Sequence, residues 1–531
     1  MIKSILKVVL TLLLGGLLYY LMLPPINLSS PLFWIFIIIM VSFYLFISLF
    51  TMSINKLQTV INRKKVVNKT ESKICITIFF VTLVTIVILI FVNLINIPLF
   101  RSKSYYERIT ISNGEFSKDV ELVDFNRLPL LDKDSSQKLG DRVMGQMTDL
   151  VSQFDVSDLY TQINYNNSII RVTPLEYSGM IKYFTNKKDG VKGYITVDSI
   201  TGESDLVRLD SGMKYMPSAL FGQDLYRKLR FSYPTEIFGD ISFEIDNEGN
   251  PYWIAQTIKY SAIGMRKDVS GVVVLDPITG ESVKYDISSV PSWIDHVYSA
   301  ELIINQVNDW GKYKNGFFNS LFGQKDVVMT TEGYNYLAMN DDVYMYTGIT
   351  SVVSDESNIG FILTNLRTKE TKLYNVAGAE EYSAMASAEG QVQQMNYTST
   401  FPLIINLNNK PTYVMSLKDN AGLVKMYAFV DYVDYQKVVV TDANEGIIKA
   451  AEKYLGGDVT PIETKEAMIK VVSINEAVID GTTYYYLKTK DNTYRASIKV
   501  NQNILPFVKV GDTLKITYKE NNINEITKIE E

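Results

Sequence analysis

The chain has 531 residues, more than one ordinary core organises, and its apolar residues crowd into the first hundred positions. A net charge of -6 offers no basic face to phosphates, so no nucleic-acid partner is expected. One cysteine, Cys75, excludes an internal disulfide and a Cys-rich zinc site, and one histidine, His296, cannot form a His cluster.

Three segments, 5–23, 31–52 and 74–99, have the length and apolarity to cross a hydrocarbon layer, which takes ~20 residues of helix. The first reads as a retained helix and not a signal peptide, because no small-residue cleavage site follows and "LPPINLSSP" leads into the next span. Lys3 and Lys7 are taken to precede it. The link "PPINLSS" is uncharged, whereas Lys56, Arg63, Lys64, Lys65, Lys69 and Lys73 face only Glu71 in the next link. Lys and Arg stay cytoplasmic, so this pattern predicts a multi-pass protein of the cell membrane. Its N-terminus is inside, and everything after Arg101 is extracellular. The spans are read as free of ionisable groups, which suits a bilayer anchor better than a transporter. Asn93 and Asn96 fall near the outer end of the third span, within reach of water.

The rest of the chain repeats itself. "GYITVDSITGESD" at 193–205 and "GVVVLDPITGESV" at 271–283 share the phrase D-x-I-T-G-E-S, 78 positions apart. Alternating residues before the Asp predict a strand. The Asp can accept from backbone amides two residues on, Gly202 and Gly280 can take positive φ, and a second strand returns. A third copy, "GFILTNLRTKETKLYNV", puts Asn365 at the Asp position and Lys369 at the glycine, so its turn must differ or be strained. A fourth, "MYAFVDYVDYQKVVV", has Asp431. Upstream of each copy lies another hairpin, with turn centres at Asn166 and Asn167, Glu248 and Gly249, Asn340 and Asp341, and Asn408 and Asn409. Helical stretches such as "SALFGQDLYRKLRF", "PSWIDHVYSAELIINQVNDWG" and "AEEYSAMASAEGQVQQM" separate the units. The fold class is therefore α+β: antiparallel meanders of about four strands alternating with helices. Propeller blades also have four strands but seldom carry helices this long.

A strand with "VDxxTGE" after a helix and a hairpin resembles the PepSY-type repeat, across roughly 151–440. That family comprises small extracytoplasmic α+β modules of propeptides and membrane-anchored bacterial surface proteins. The resemblance implies protein-binding, inhibitory or sensory roles, and it supplies no catalytic residue. Abundant Ile, Lys, Asn and Tyr and a cysteine-poor body fit a low-GC Gram-positive envelope. The resulting division is an anchor (1–100), PepSY-like modules at 101–210 and 211–290, degenerate modules at 291–378 and 379–442, and a C-terminal helix plus small β-barrel of OB or SH3 type (443–531). In the last, "DANEGIIKAAEKYLGGD" predicts a helix stopped by Gly456 and Gly457, followed by about five short strands with turns at Asp480–Gly481, Asp491–Asn492 and Asn521–Asn522.

Candidate sites are few. His296 could pair with Asp295 or Glu301, but one histidine without a cysteine partner reads better as a residue of a helix surface or boundary. Asp198 with Glu203, and Asp276 with Glu281, could ligate calcium. A duplicated phrase reads better as a turn device, with Asp as the cap. "EIDNEGN" and "DDVYMY" offer carboxylate pairs of the kind glycosidases use, without further support. Tyr252, Tyr260, Tyr334, Tyr336, Tyr344 and Tyr346 could line a groove for glycan or peptide, or pack a half-buried strand face. Tyr484, Tyr485 and Tyr486 with Lys488, Lys490, Arg495 and Lys499 form a stacking surface, but nearby Glu520, Glu525, Glu530 and Glu531 balance it. No nucleophile elbow, Walker loop or HExxH motif is present. The expectation is a non-enzymatic envelope protein without cofactor or metal, whose repeats bind a protein, peptide or wall polymer. The alternatives are an envelope hydrolase, a propeptide-like regulator of a peptidase, or a sensor.

Overall fold

A computed structural model describes residues 2–62, 69–166, 168–339, 342–351, 354–456, 465–479, 482–519 and 521–528. Arg63, Lys64 and Lys65 of the basic link fall outside these residues, as do Asn167, Asn340, Asp341, Gly457, Asp480, Gly481, Glu520, Glu530 and Glu531 and the side chains of Lys3, Lys56, Lys69, Glu71, Lys499 and Glu525.

Helices α1 (Ile2–Met22), α2 (Pro31–Asn62) and α3 (Lys69–Leu94) contain three stretches long and apolar enough to cross a membrane: Ile5–Met22, Pro31–Ile54 and Ser72–Leu94. Two expectations change. Lys7 does not precede the first helix but lies inside its apolar stretch, buried, and Lys73 lies just inside the third. The third helix ends at Leu94 and not near residue 99. Pro98 lacks an N–H to continue a helix and instead opens a new one, α4 (Pro98–Tyr106).

The soluble body is fastened to the α1–α2 link and to the C-terminal end of α3. In the α1–α2 link, the Ile26 amide donates to Pro234 O (2.7 Å), and Asn27 Nδ2 to Thr235 O (3.1 Å). Arg230 Nε reaches Leu23 O (2.9 Å), and the Gly264 amide donates to Ser29 O (3.0 Å). Gly264 has φ +69°, and a Cβ there would lie 2.5 Å from Pro31 Cγ, so only glycine fits this approach. At the end of α3, Asn93 Nδ2 donates to Ile263 O (3.1 Å), and Asn96 Oδ1 accepts from Arg266 (2.8 Å). Protein groups, and not only water, therefore partner both asparagines. The α1–α2 link and the soluble body lie on one side of the three helices.

Among the described residues, four sheets follow in chain order, antiparallel except for one added strand in the third. The first holds Phe154–Val156, Thr161–Tyr165, Ser168–Tyr177, Val191–Asp198 and Ser204–Met213. The second holds Ile237–Ile245, Pro251–Lys259, Asp268–Leu275 and Ser282–Asp286. The third is built on Asn335–Met339, Asp342–Ser351, Ser354–Asn365 and Thr371–Tyr374, and the fourth on Leu403–Leu407, Lys410–Lys418, Val424–Asp431 and Val438–Asp442. Helices Leu225–Ser232, Ala300–Tyr313 and Glu381–Gln391 occupy the expected intervals, though the second begins at Ala300, after His296. Helix Lys133–Gln146, capped by Asp132 accepting from the Ser135 amide (3.0 Å), had no counterpart in the sequence reading.

The sheets stack face to face, and strand alternation shows how. Along "VVVL", Val273 and Leu275 enter a core shared with the first sheet, together with Trp253 and Ala255. Val272 and Val274 point the other way, into a core with Ile254, the helix Ala300–Tyr313 and Met345 and Ile362 of the third sheet. On the third sheet's far face, Tyr346, Phe361 and Leu363 join Val414, Phe429 and the rest of the fourth sheet. A strand buried on both faces has no polar alternation, which is why these runs are continuously apolar. Residues 111–113, grouped by sequence with the first unit, pair parallel to the third sheet, with Ile111 opposite Thr371. Phe116, Val120, Phe125 and Leu128 then pack in the core of the third and fourth sheets.

The C-terminal part holds the helix Ile447–Leu455, ended by Gly456 at φ +69°, and a six-stranded sheet with its own core. The path of that sheet begins with Lys465–Lys470 and ends with Ser473–Ile479. Among the described residues these two strands do not pair with each other, and a closed barrel is not seen.

Candidate functional site

The repeated phrase resolves as a turn device. Asp198 Oδ1 accepts from the amides of Ile200 and Thr201 (both 2.8 Å), and Asp276 Oδ1 from those of Ile278 (2.7 Å) and Thr279 (3.3 Å). Gly202 and Gly280 close the two loops at φ +78° and +77°. Asn365 makes the same pair of bonds, to Arg367 and Thr368 (both 2.9 Å), and Lys369 takes the glycine's place at φ +67°. The third turn thus keeps its geometry under strain. Lys369 Nζ bonds Asp268 (2.9 Å) and Arg108 O (3.0 Å), which holds it there. Asp431 caps a wider version through the amides of Val433 and Asp434. Asp246 serves its own turn, and Asp342 forms a forked pair with Arg367 (2.7 and 2.8 Å). Among the described residues no three His, Cys, Asp or Glu side chains gather as a metal cluster. In the C-terminal sheet Tyr485 is buried, and the Arg495 guanidinium stacks on Tyr484 at 5.0 Å.

A different place stands out, where three sheets converge. A cleft of about 590 Å³ is floored by Gln162 and Arg171, which face each other across two strands of the first sheet. Gln256 of the second sheet enters it opposite a bulge, where the register slips between Phe238 and Ile241. His296 and Ser299 come from the segment before Ala300, and Tyr334, Tyr336 and Phe401 complete the rim. Five buried polar atoms here lack a hydrogen-bond partner among the described residues: Tyr160 Oη, Gln162 Nε2, Arg171 Nε, Gln256 Oε1 and Ser299 Oγ. Unpartnered polar atoms are costly to bury, and their convergence around one cleft sets it apart as the candidate site. A second cavity, of about 550 Å³, shares Asp134 and Tyr160 with the first and extends the groove past Asp141 and Asp158.

Behind the cleft, Glu244 is fully buried. It accepts from the Asp295 amide (2.9 Å) and the Ser242 hydroxyl (2.8 Å), and burial pushes its carboxyl up to about 7 despite these bonds. Asp295 accepts from the Asn164 amide (2.7 Å). These bonds tie the 295–296 segment to both first and second sheets. His296 Nε2 lies 2.7 Å from Gln162 O, and because a carbonyl only accepts, Nε2 carries the proton. Its ring meets that of Tyr336 edge-on at 5.6 Å. Burial lowers its pKa, so neutral imidazole is favoured. His296 is thus neither on a helix surface nor bonded through Nε2 to Asp295 or Glu301. Burial also lowers Arg171 to about 10, which leaves it charged at neutral pH. Of the tyrosines singled out by sequence, Tyr334 and Tyr336 line the cleft, whereas Tyr346 is sealed in the core and Tyr252 packs on Trp293 at 5.1 Å.

Sequence reasoning missed Gln162, Arg171 and Gln256, and it took Glu244 only as part of the carboxylate-rich "EIDNEGN". The available signal was a charged or amide side chain inside an otherwise apolar strand, as in "SIIRVTPL" and "ISFEID". No protein-family model and no curated protein matches the chain.

Proposed function

We propose that this is a membrane-anchored protein of the bacterial envelope whose soluble body faces outward and binds a hydroxyl-rich glycan of the wall in the Arg171 cleft. The observation that carries the reading is the convergence of unpartnered donors and acceptors, three hydroxyl or amide donors and one amide acceptor beside a guanidinium, under the rings of Tyr334, Tyr336 and Phe401. Sugars offer hydroxyls of both hydrogen-bonding senses and flat C–H faces for such rings. The outward orientation is supported by the basic link, which the order of the helices puts opposite the α1–α2 link. PepSY-like modules belong to the same reading, supported by the recurrent helix and four-stranded meander. So does a small C-terminal barrel, supported by Val471 and Val472, whose amides donate to Asp512 O and Lys488 O on opposite sides of one bent segment. The role is binding without catalysis, as His296 Nε2 and Glu244 are both committed to holding backbone.

The test is calorimetric titration of the full chain in nanodiscs with soluble wall oligosaccharides. Wild type should bind, Gln256→Ala and Tyr334→Ala should weaken binding by about tenfold each, and exposed Val433→Ala should not. Absence of wild-type binding, or equal affinity in all variants, refutes the assignment.

A further inference from the structure

Independently of the glycan reading, we infer that the soluble body lies down on the bilayer, with two aromatic wedges inserted among the headgroups of the leaflet on its side. The first wedge adjoins α1. Phe231 packs against Tyr19 and Tyr20 near the end of that helix, with ring centroids at 6.0 and 6.4 Å. The Arg227 guanidinium sits 4.6 Å over Tyr20. The same part of the body exposes Phe221 and Phe184, whose rings are 6.2 Å apart, and Ile181, which is 78% exposed. In water such exposed apolar side chains cost free energy, and Phe231 among them already touches a helix long and apolar enough to cross lipid.

The second wedge adjoins α3. Tyr105 of α4 donates to Asn96 O (3.1 Å) and packs edge-on against Tyr313 at 5.8 Å. Tyr106 stacks on Trp310 at 6.4 Å. The chain leaves Tyr313 into the turn Asn319–Gly323, which presents Phe318, Leu321 and Phe322 to the outside, the last 82% exposed. Phe100, on the first turn of α4, is exposed beside the same helix end. By contrast, Phe154, Phe243, Phe361 and Phe429 of the four sheets are buried.

Each wedge is flanked by exposed cations, Lys187 and Lys188 on one and Lys312, Lys314 and Lys325 on the other. This is the pattern of an interfacial anchor: aromatic rings at headgroup depth, ammonium groups toward anionic lipid. Ring contact of Phe231 with α1, and the short chain link from α3 into α4, are what select lipid over a protein partner.

The experiment uses the full chain with Cys75→Ala and single cysteines at Ile181, Phe322 or Val433, each labelled with bimane. Each is placed in nanodiscs of phosphatidylcholine and phosphatidylglycerol, with or without bromine on the acyl carbons nearest the glycerol. Bromine should quench the label at Ile181 and Phe322 and leave that at Val433, in the fourth unit, unchanged. In the unmodified chain, a lipid carrying a photoactivatable group near its headgroup should crosslink to peptides covering 180–186 and 317–323. Emission indifferent to bromine at both sites, or crosslinks confined to α1, α2 and α3, overturns the inference.

Discussion

Replacing Glu244 by Gln should change how stability depends on pH. The side chain has no exposure, and burial is the largest influence on it, raising the carboxyl from an ordinary 4.5 to about 7. A carboxyl raised on folding contributes fully below 4.5, where folded and unfolded chains both hold the proton. Between 4.5 and about 7 the folded chain keeps a proton that the unfolded chain has lost, so stability falls as pH rises. At 1.36 kcal/mol per pH unit, that interval is worth about 3 kcal/mol. Glutamine keeps an acceptor for the Asp295 amide, and its NH2 can donate to a rotated Ser242 hydroxyl, so the fold should survive. Urea titrations of the full chain in nanodiscs, followed by tryptophan fluorescence from pH 4.5 to 7.5, give the comparison. The wild-type midpoint should move down with pH more steeply than that of Glu244→Gln. If the two midpoints move in parallel, Glu244 is not protonated in the folded protein, and the account of the network behind the cleft is wrong.

Three further outcomes are expected. Lys369→Gly and Lys369→Ala both lose the bond to Asp268, but only glycine relieves the positive φ, so the glycine variant should be the more stable by about 1 kcal/mol in the same titration. Gly280→Ala should destabilise more than Gly202→Ala, since both share a positive φ but a new Cβ would collide with the Tyr215 ring in one and meet only Leu131 Cδ1 at 3.4 Å in the other; thermal midpoints rank them. Tyr346→Phe removes a donor 2.6 Å from the buried Glu381 carboxylate and 3.0 Å from the Tyr413 hydroxyl, and should cost about 1–3 kcal/mol, read as faster amide exchange in the third and fourth sheets.

What could be read in advance was local. The D-x-I-T-G-E turn is written in adjacent residues, so the Asp198 and Asp276 caps and the positive φ at Gly202 and Gly280 were visible before any fold was known. Substituting Lys369 for the glycine forced a choice between a new turn and a strained one, and neighbours from distant segments, Asp268 and Arg108, decided for strain. The apolar helices were equally plain, but Lys7 shows that a charge at the head of a span does not mark where the helix starts. The cleft was hidden because Arg171, Gln256, His296 and Tyr336 meet only through the stacking of three sheets. No spacing along the chain encodes that stacking. Likewise 111–113 read as part of the first unit because its neighbours in sequence belong there, whereas its hydrogen bonds are made to Thr371, Lys372 and Leu373.

The bonds from residues 23–29 to Pro234, Thr235, Arg230 and Gly264 carry a mechanical implication. A body hung from the end of α3 alone could swivel about that one tether. Moored at a second point, it loses the swivel, and the mouth of the cleft is held at a fixed height and bearing above the lipid. Because neighbouring sheets share their cores, that height is passed along the whole body as one piece and not as a chain of loose links.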